Sequence, residues 1–327
     1  MSLKRIALWA SGLVVAFIVL AVAGFFLTFP RVSAAPDLKV EASPELVARG
    51  EYLFSSQLAC GACHTPEIEP HRFSRVSDKA RVGAGRHMGG APDFPTDVYA
   101  PNLTSTALGD WTDGEIYRAI VSGVDRDGKA LFPVMPYPFY KSLDPEDVKA
   151  VIAYLRSLPP QPITMPRTKL PMPLPIFMRL VPADATPQKR PDGTDEVALG
   201  QYLAFASSCF ECHTKRNERG EPTGTPFAGG NPFSLPGGAV ATSANITPHK
   251  GAGIGAWTRE EFIARFRSRN AEADEKITPN GHDFDTEMPW SHYAGMTDGD
   301  LGAIYAYLRT VPPIDAKVTL FTPAGEK

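Results

Sequence analysis

The chain has 327 residues, with 33 Lys and Arg against 36 Asp and Glu, for a formal net charge of −3. That balance excludes a strongly basic, nucleic-acid-binding surface as the basis of function, and the length suggests about two domains. Its 32 prolines and 28 glycines are many for a helical protein, so loops rather than long elements are expected to line the cores.

The first expected element is the charge-free run from Ile6 to Phe29. At about 1.5 Å per residue, a helix of that length crosses a ~30 Å hydrocarbon core with some tilt. Lys4 and Arg5 precede it, which sets the N-terminus in the cytoplasm and the remainder outside. Trp9 at one end and Phe25, Phe26 and Phe29 at the other suit an interfacial belt. Val32-Ser33-Ala34 could be a signal-peptide cleavage site, but the run exceeds the roughly 7–15 residues of a signal h-region. A retained anchor over residues 1–35 is therefore expected, with the bulk of the chain exported across the membrane.

A first domain is expected over 36–162. Ser43 caps a helix whose first residue is Pro44, and this helix runs into Cys60-Gly61-Ala62-Cys63-His64. A basic stretch with Arg72, Arg75, Lys79, Arg81 and Arg86 follows, expected as a solvated face, or else as a site for acidic cofactor groups or a docking partner. Glycine-rich segments from Gly83 to Gly90 and from Gly229 to Gly238 lack the strand-turn-helix frame of a phosphate loop, and close approach of backbone to a bound cofactor is expected there. Thr112-Asp113-Gly114-Glu115 reads as a capping-box start, and Asp144-Pro145-Glu146-Asp147 opens a last helix that Pro159-Pro160 ends. An apolar, proline-rich linker occupies 163–193. Its Leu174, Ile176, Phe177, Met178, Leu180 and Val181 would not be needed by a freely solvated tether, so it is expected to pack along a domain seam or on another subunit.

The second domain, over 194–327, repeats the plan of the first. Leu199-Gly200-Gln201-Tyr202-Leu203 matches Arg49-Gly50-Glu51-Tyr52-Leu53, and Ala244-Asn245-Ile246-Thr247 matches Pro101-Asn102-Leu103-Thr104. Trp257-Thr258 matches Trp111-Thr112, Met288-Pro289-Trp290 matches Met135-Pro136-Tyr137, and both copies close on Ala-Tyr-Leu-Arg before a proline pair. The copies are offset by 149 residues at the first cysteine, 146 at the tryptophan and 153 at the methionine, so loops of unequal length interrupt one shared plan. A period this long means two domains rather than a solenoid. Gly50 and Gly200 are expected where first and last helices cross, beside Tyr154 and Tyr307.

All four cysteines fall in Cys60-Gly-Ala-Cys63-His64 and Cys209-Phe-Glu-Cys212-His213, the attachment pattern of c-type haem. Two thiols three residues apart on one helical turn reach both vinyl groups of a porphyrin, and the adjacent histidine ligates the iron. The rival, two CxxC knuckles sharing a zinc, leaves both histidines unexplained. Two covalently bound haem c groups are expected, with Cys60, Cys63, His64, Cys209, Cys212 and His213 binding them. A sixth ligand closes an iron for electron transfer, whereas an open position permits ligand chemistry. Met135 and Met288 alone among the methionines recur in register, so the expected iron ligands are His64, Met135, His213 and Met288. Met296, whose counterpart is Leu143, reads as core. His71, His87, His249, His282 and His292 occur in one copy only and are expected in surface or loop roles. Trp111 and Trp257 could donate to a propionate or pack on the porphyrin. Asn102 and Asn245 could serve a turn or touch the haem edge.

With these motifs the chain resembles the membrane-anchored cytochrome c subunits of bacterial periplasmic dehydrogenases, those serving alcohol, gluconate, aldehyde and nicotinate oxidation. The resemblance covers nearly everything after residue 40. It implies a mainly α fold of two tandem class I-like cytochrome c domains behind a transmembrane helix. It also implies axial pairs His64–Met135 and His213–Met288, and a non-enzymatic role relaying electrons from a periplasmic dehydrogenase catalytic subunit. The quinone pool, a cytochrome or an oxidase would accept them. Many members carry three haem motifs, and this chain has two. A terminal-oxidase subunit and a dihaem peroxidase are the alternative readings, and no nucleic-acid partner is expected.

Overall fold

The computed structural model describes residues 2–68, 76–90, 94–217, 220–269 and 284–325. It is predominantly helical, with a few short strands. Helix α1 (Leu3–Thr28) is the apolar N-terminal run, and none of its membrane-length window is buried against the rest of the chain. Its length and composition suit a bilayer span.

Helix α2 (Pro44–Tyr52) starts where expected, with Leu46 N donating to Ser43 Oγ. It continues through a π-helical turn, Leu53–Gln57, into α3 (Cys60–His64). The π turn has a cause in the sequence. Seven positions separate Leu53 from Cys60, and six separate Leu203 from Cys209. A single extra residue in a helix is absorbed as a π-bulge.

An antiparallel pair, β1 (Arg86–Gly89) and β2 (Val98–Ala100), leads to α4 (Ser105–Leu108) and α5 (Asp113–Ser122). Helix α5 opens with the complete Thr112/Glu115 capping box. The short α6 (Tyr137–Tyr140) follows Met135, and α7 (Pro145–Ser157) is capped by Asp144. Helices α2, α5 and α7 enclose one hydrophobic core around Leu53, Phe54, Ile116, Val148 and Ile152.

After α8 (Leu174–Met178), the same plan returns as α9 (Glu196–Ala206), α10 (Cys209–Cys212), α11 (Arg259–Arg267), α12 (Trp290–Tyr293) and α13 (Asp298–Leu308). Thr258 and Glu261 form the second capping box, and Thr297 caps α13. A small antiparallel sheet of β3 (Pro232–Ser234), β4 (Val240–Thr242) and β5 (Phe321–Thr322) lies on this half, in the order β3-β4-β5. A second core gathers Leu203, Phe227, Phe262, Leu301 and Ile304.

The two expected helix crossings are present. A Cβ at Gly50 would lie 1.9 Å from Ala150 O and 2.7 Å from Tyr154 Cβ, and one at Gly200 would lie 1.8 Å from Ala303 O and 2.9 Å from Tyr307 Cβ. Only hydrogen fits between backbones this close.

The cores meet through exchanged contacts. Tyr52 Oη donates to Asp300 Oδ2 at 2.6 Å, and Tyr202 Oη donates to Asp147 Oδ2 at 3.0 Å. Ala206 and Tyr202 pack with the first core, while Ala59 and Ala62 pack with the second. The linker's tail runs along the same junction: Thr186 N and Gln188 N donate to Lys141 O and Ser142 O. Arg190 then joins Asp144 and Asp300.

Candidate cofactor sites

Each CxxC pair sits on a single helical turn, α3 or α10, preceded by a left-handed non-glycine residue: Ala59 (φ 48°) and Ser208 (φ 57°). Positive φ at a non-glycine residue is uncommon, and its recurrence ahead of both motifs marks a turn that the surrounding packing fixes. Cysteines three apart on one turn share a face, so both thiols of a pair point the same way. All four are half-buried.

Desolvation pushes Cys60, Cys209 and Cys212 up to about 12, with Cys63 adding to the effect at Cys60 and Glu211 at Cys212. Among the described residues, no three His, Cys, Asp or Glu side chains converge as a metal set. The shared-zinc geometry is therefore not built.

The histidines have matching second partners. His64 Nδ1 lies 2.9 Å from Pro101 O, and His213 Nδ1 lies 2.7 Å from Ala244 O. A carbonyl can only accept, so Nδ1 carries the proton and Nε2 keeps its lone pair. Desolvation lowers both histidines below the ordinary value, partly offset by these bonds and reinforced at His64 by Arg86. Neutral imidazole with a carbonyl-bound Nδ1–H is the form suited to ligating iron through Nε2.

The repeated Asn-x-Thr segments hold those carbonyls in place. Asn102 Nδ2 donates to Gln161 O and Ile163 O, while its Oδ1 accepts from Thr104 N and Oγ1. Asn245 makes the same set with Ile314, Ala316 and Thr247. Of the two roles open to these asparagines, the structure shows the turn role: each clamps the chain leaving α7 or α13 to the segment that orients the histidine. On the other side, Gly85 N and Gly229 N donate to the carbonyls of His64 and His213. Gly85 (φ 82°) needs its bare backbone, because a Cβ there would stand 2.7 Å from Asn102 N. The glycine segments thus close on protein backbone.

Met135 and Met288 are half-buried in the turns before α6 and α12. Met135 packs on the first core, as Cys60 does, and Met288 packs on the second, as Cys209 does. Met296 and Leu143 are each 2 % exposed and belong to the cores, as their sequence positions indicated. Buried polar atoms stand without partners beside the motifs, namely both amide atoms of Gln57, Ser207 Oγ and Arg86 Nε. Together with the paired thiols and the free Nε2 atoms, they fit a covalently attached haem whose rim carries polar groups. When bound, haem c supplies one-electron redox chemistry.

Two expectations are corrected. His292 is not a surface or loop residue. It is 7 % exposed, with Nδ1 2.8 Å from Ser55 O and Nε2 3.1 Å from Ser77 Oγ, and it packs on Gly61 within the first motif. Its repeat counterpart Phe139 lies against Phe210 of the second motif, with ring centroids 6.3 Å apart. Each methionine-side helix therefore touches the opposite CxxC turn, and a residue in such a contact need not be the same in both copies. Arg86 is likewise buried and paired with Glu67 rather than solvated. His87 is exposed on β1 beside Asp97, and His249 accepts from the Gly251 and Ala252 amides in a loop, so one is a surface and the other a loop residue, as expected. His71, Arg72, Arg75 and His282 lie outside the described residues.

The exchanged Tyr–Asp pairs were missed at the sequence level, although the signal was present. Tyr52 and Tyr202 occupy equivalent repeat positions, as do Asp147 and Asp300.

Residues 47–159 match the family model described as cytochrome c. The chain is 30 % identical, over 84 % of its length, to the cytochrome c subunit of quinone alcohol dehydrogenase from Gluconacetobacter polyoxogenes. It is 28 % identical over 81 % to the fructose dehydrogenase cytochrome subunit of Gluconobacter japonicus. It spans little more than half of those relatives, 58 % and 52 % of their lengths. A diheme cytochrome c-type protein of Cereibacter sphaeroides is 29 % identical over 90 % of this chain and 94 % of its own. Residues 47–159 are thus similar to the cytochrome c family, and relatives named as cytochrome c subunits extend the likeness over most of the chain.

Proposed function

We propose that the chain is a dihaem electron-transfer subunit with no substrate chemistry of its own. Residues 36–162 and 194–327 are tandem cytochrome c domains joined by 163–193, and residues 1–35 anchor them on the periplasmic side of the inner membrane. Cys60 and Cys63 attach one haem, ligated by His64 and Met135, and Cys209 and Cys212 attach the other, ligated by His213 and Met288. A periplasmic dehydrogenase reduces the pair, and the quinone pool, a cytochrome or an oxidase drains it.

The observation that carries this reading is the duplicated histidine geometry, with Nδ1 bound to Pro101 O or Ala244 O and an Asn-x-Thr clamp behind each carbonyl. A methionine in register in each half supports two closed irons, which favours relay over peroxidase chemistry. The names of the relatives support a dehydrogenase as the donor.

Mass spectrometry of the denatured protein should show two added haems, and oxidised protein should absorb weakly in the near-infrared from an iron–methionine bond. Met288→Ala should remove about half of that band, lower the potential of one haem and admit small ligands to it. One haem per chain, or an intact band after substitution of both Met135 and Met288, would refute the assignment.

A further inference from the structure

The apolar linker contains an exposed patch that neither haem site uses. Met172 is 71 % exposed, Phe177 59 %, Leu180 52 % and Val181 41 %. Contiguous exposed apolar side chains mark an interaction surface, and their position limits what can cover them. Arg179, between Phe177 and Leu180, donates from Nη2 to Phe26 O at 3.0 Å and also to Phe29 O. Its guanidinium stacks 5.1 Å from the Phe26 ring centroid. Ser33 N donates to Asp184 Oδ1 at 2.7 Å, a second tie between the chain leaving α1 and the linker.

We propose that residues 172–181 lie in the headgroup region of the bilayer, as a second, monotopic membrane contact beside the spanning helix. This rests on the reading of α1 as a retained anchor. Phe26 and Phe29 end the apolar run, so Arg179 sits where hydrocarbon gives way to headgroups. Phe177 and Leu180 are within two residues of it, and two residues span at most about 7 Å. The interfacial layer on each side of a ~30 Å core is itself about 5–8 Å thick. Phe177 and Leu180 therefore cannot lie far outside that layer while the Arg179 bonds hold. The charges are compatible: Thr164 to Val181 contains Arg167, Lys169 and Arg179 and no Asp or Glu, so the segment brings no negative charge against phosphate headgroups. A spanning helix alone leaves the body free to swivel about the helix axis. A second contact fixes which face of the haem-bearing body meets the membrane.

The test is depth measurement by spin-label accessibility on the full-length, haem-loaded protein in nanodiscs of phosphatidylethanolamine and phosphatidylglycerol. With the haem cysteines consumed as thioethers, Phe177→Cys, Leu180→Cys, Val15→Cys and Glu260→Cys each carry a single label. Labels at 177 and 180 should collide with oxygen in preference to a nickel chelate several-fold more than the label at Glu260, and less than the label at Val15. Leu180→Cys serves alone if Phe177→Cys fails to load haem. If Val15 reports lipid while 177 and 180 report water, the second contact is overturned and the anchor stands. If Val15 also reports water, the anchor reading fails and the proposal with it. Labels at 177 and 180 that become shielded only on adding a purified partner dehydrogenase would make the patch a protein-docking surface and overturn the lipid assignment.

Discussion

Tyr52 on the first half of the chain hydrogen-bonds to Asp300 on the second, and Tyr202 on the second hydrogen-bonds to Asp147 on the first. Each phenol also accepts a backbone amide at a helix start, Thr297 N for Tyr52 and Asp144 N for Tyr202. Each carboxylate is shared with an arginine, Arg190 at Asp300 and Arg49 at Asp147. The N-terminal end of each last helix is thus tied to the first helix of the other half. This fixes how the two CxxC turns face one another.

Tyr52→Phe removes a hydrogen bond to a charged acceptor, a change that costs about 1.5–3 kcal/mol. It also strips the Thr297 amide of its acceptor. Tyr202→Phe should cost a similar amount. Denaturant unfolding followed by far-UV circular dichroism should show both losses, and the double variant should separate the unfolding of the halves into two transitions. A single unchanged transition would mean that the halves are held together elsewhere.

Gly50→Ala should destabilise, reversing the usual gain of up to about 1 kcal/mol for alanine over glycine in a helix. Its Cβ would fall 1.9 Å from Ala150 O, a backbone atom of a packed helix that cannot rotate away. A cost of about 1–3 kcal/mol is expected from overpacking, and Gly200→Ala should match it. Thermal melts of the haem-loaded protein check both, with Gly220→Ala excluded as a control because its φ is 75°. Gly299→Ala, whose nearest neighbour is 3.8 Å away, is the suitable comparison.

The helix starts were readable because capping is local: Ser43, Thr112, Asp144, Thr258 and Thr297 each accept the amide bond their motif implies. Gly50 and Gly200 were readable because glycine inside a helix is unfavourable unless something crosses there. The thiol and histidine arrangement was readable for the same reason of short spacing. The seam was harder. Tyr52 and Asp300 are 248 residues apart, and no local preference ties a phenol to a distant carboxylate. His292 was misread because matching the copies favours residues that repeat, whereas this contact pairs His292 with Gly61 and Phe139 with Phe210. The short strands also escaped notice. Pro232–Ser234 and Phe321–Thr322 carry no alternation long enough to see.

His292 should make stability depend on pH. Desolvation lowers its pKa below the ordinary 6.5, partly opposed by the Ser55 carbonyl and reinforced by Arg86. A histidine held neutral in the folded chain gains a proton first in the unfolded one. The unfolded state then binds more protons, so stability falls as pH drops. The contribution is fully present above about pH 6.5 and is lost on acidification toward the lowered folded value. His292→Phe, which copies the residue at Phe139, should flatten the pH dependence of the melting temperature over that range. Equal slopes in the two proteins would place the titration elsewhere.

Removal of residues 2–30 behind a cleavable signal should release a soluble, haem-loaded protein with its thermal stability nearly unchanged, because the membrane-length window of α1 is not buried on the body and what is lost is the Arg179 contact with Phe26 and Phe29. Removal of residues 2–40 should not. Leu38 and Val40 pack against the first core, and Val40 N donates to Asp113 Oδ2 at 2.8 Å. Asp113 also pairs with Arg156 at 2.9 Å, on the last helix of that half. Pro36 O lies so close to α5 that a Cβ at Gly114 would stand 1.8 Å from it. The segment 36–40 is therefore a strap across α5, although it has no regular structure. Losing two half-buried aliphatic side chains costs about 2 kcal/mol at the transfer rate for apolar surface, and the lost Val40–Asp113 hydrogen bond adds to that. Comparing melting temperatures of the two truncations decides the point. Equal stability would mean that the strap contributes nothing and that the folded unit begins after residue 40, whereas a lower value for the longer deletion alone sets its start between residues 31 and 40.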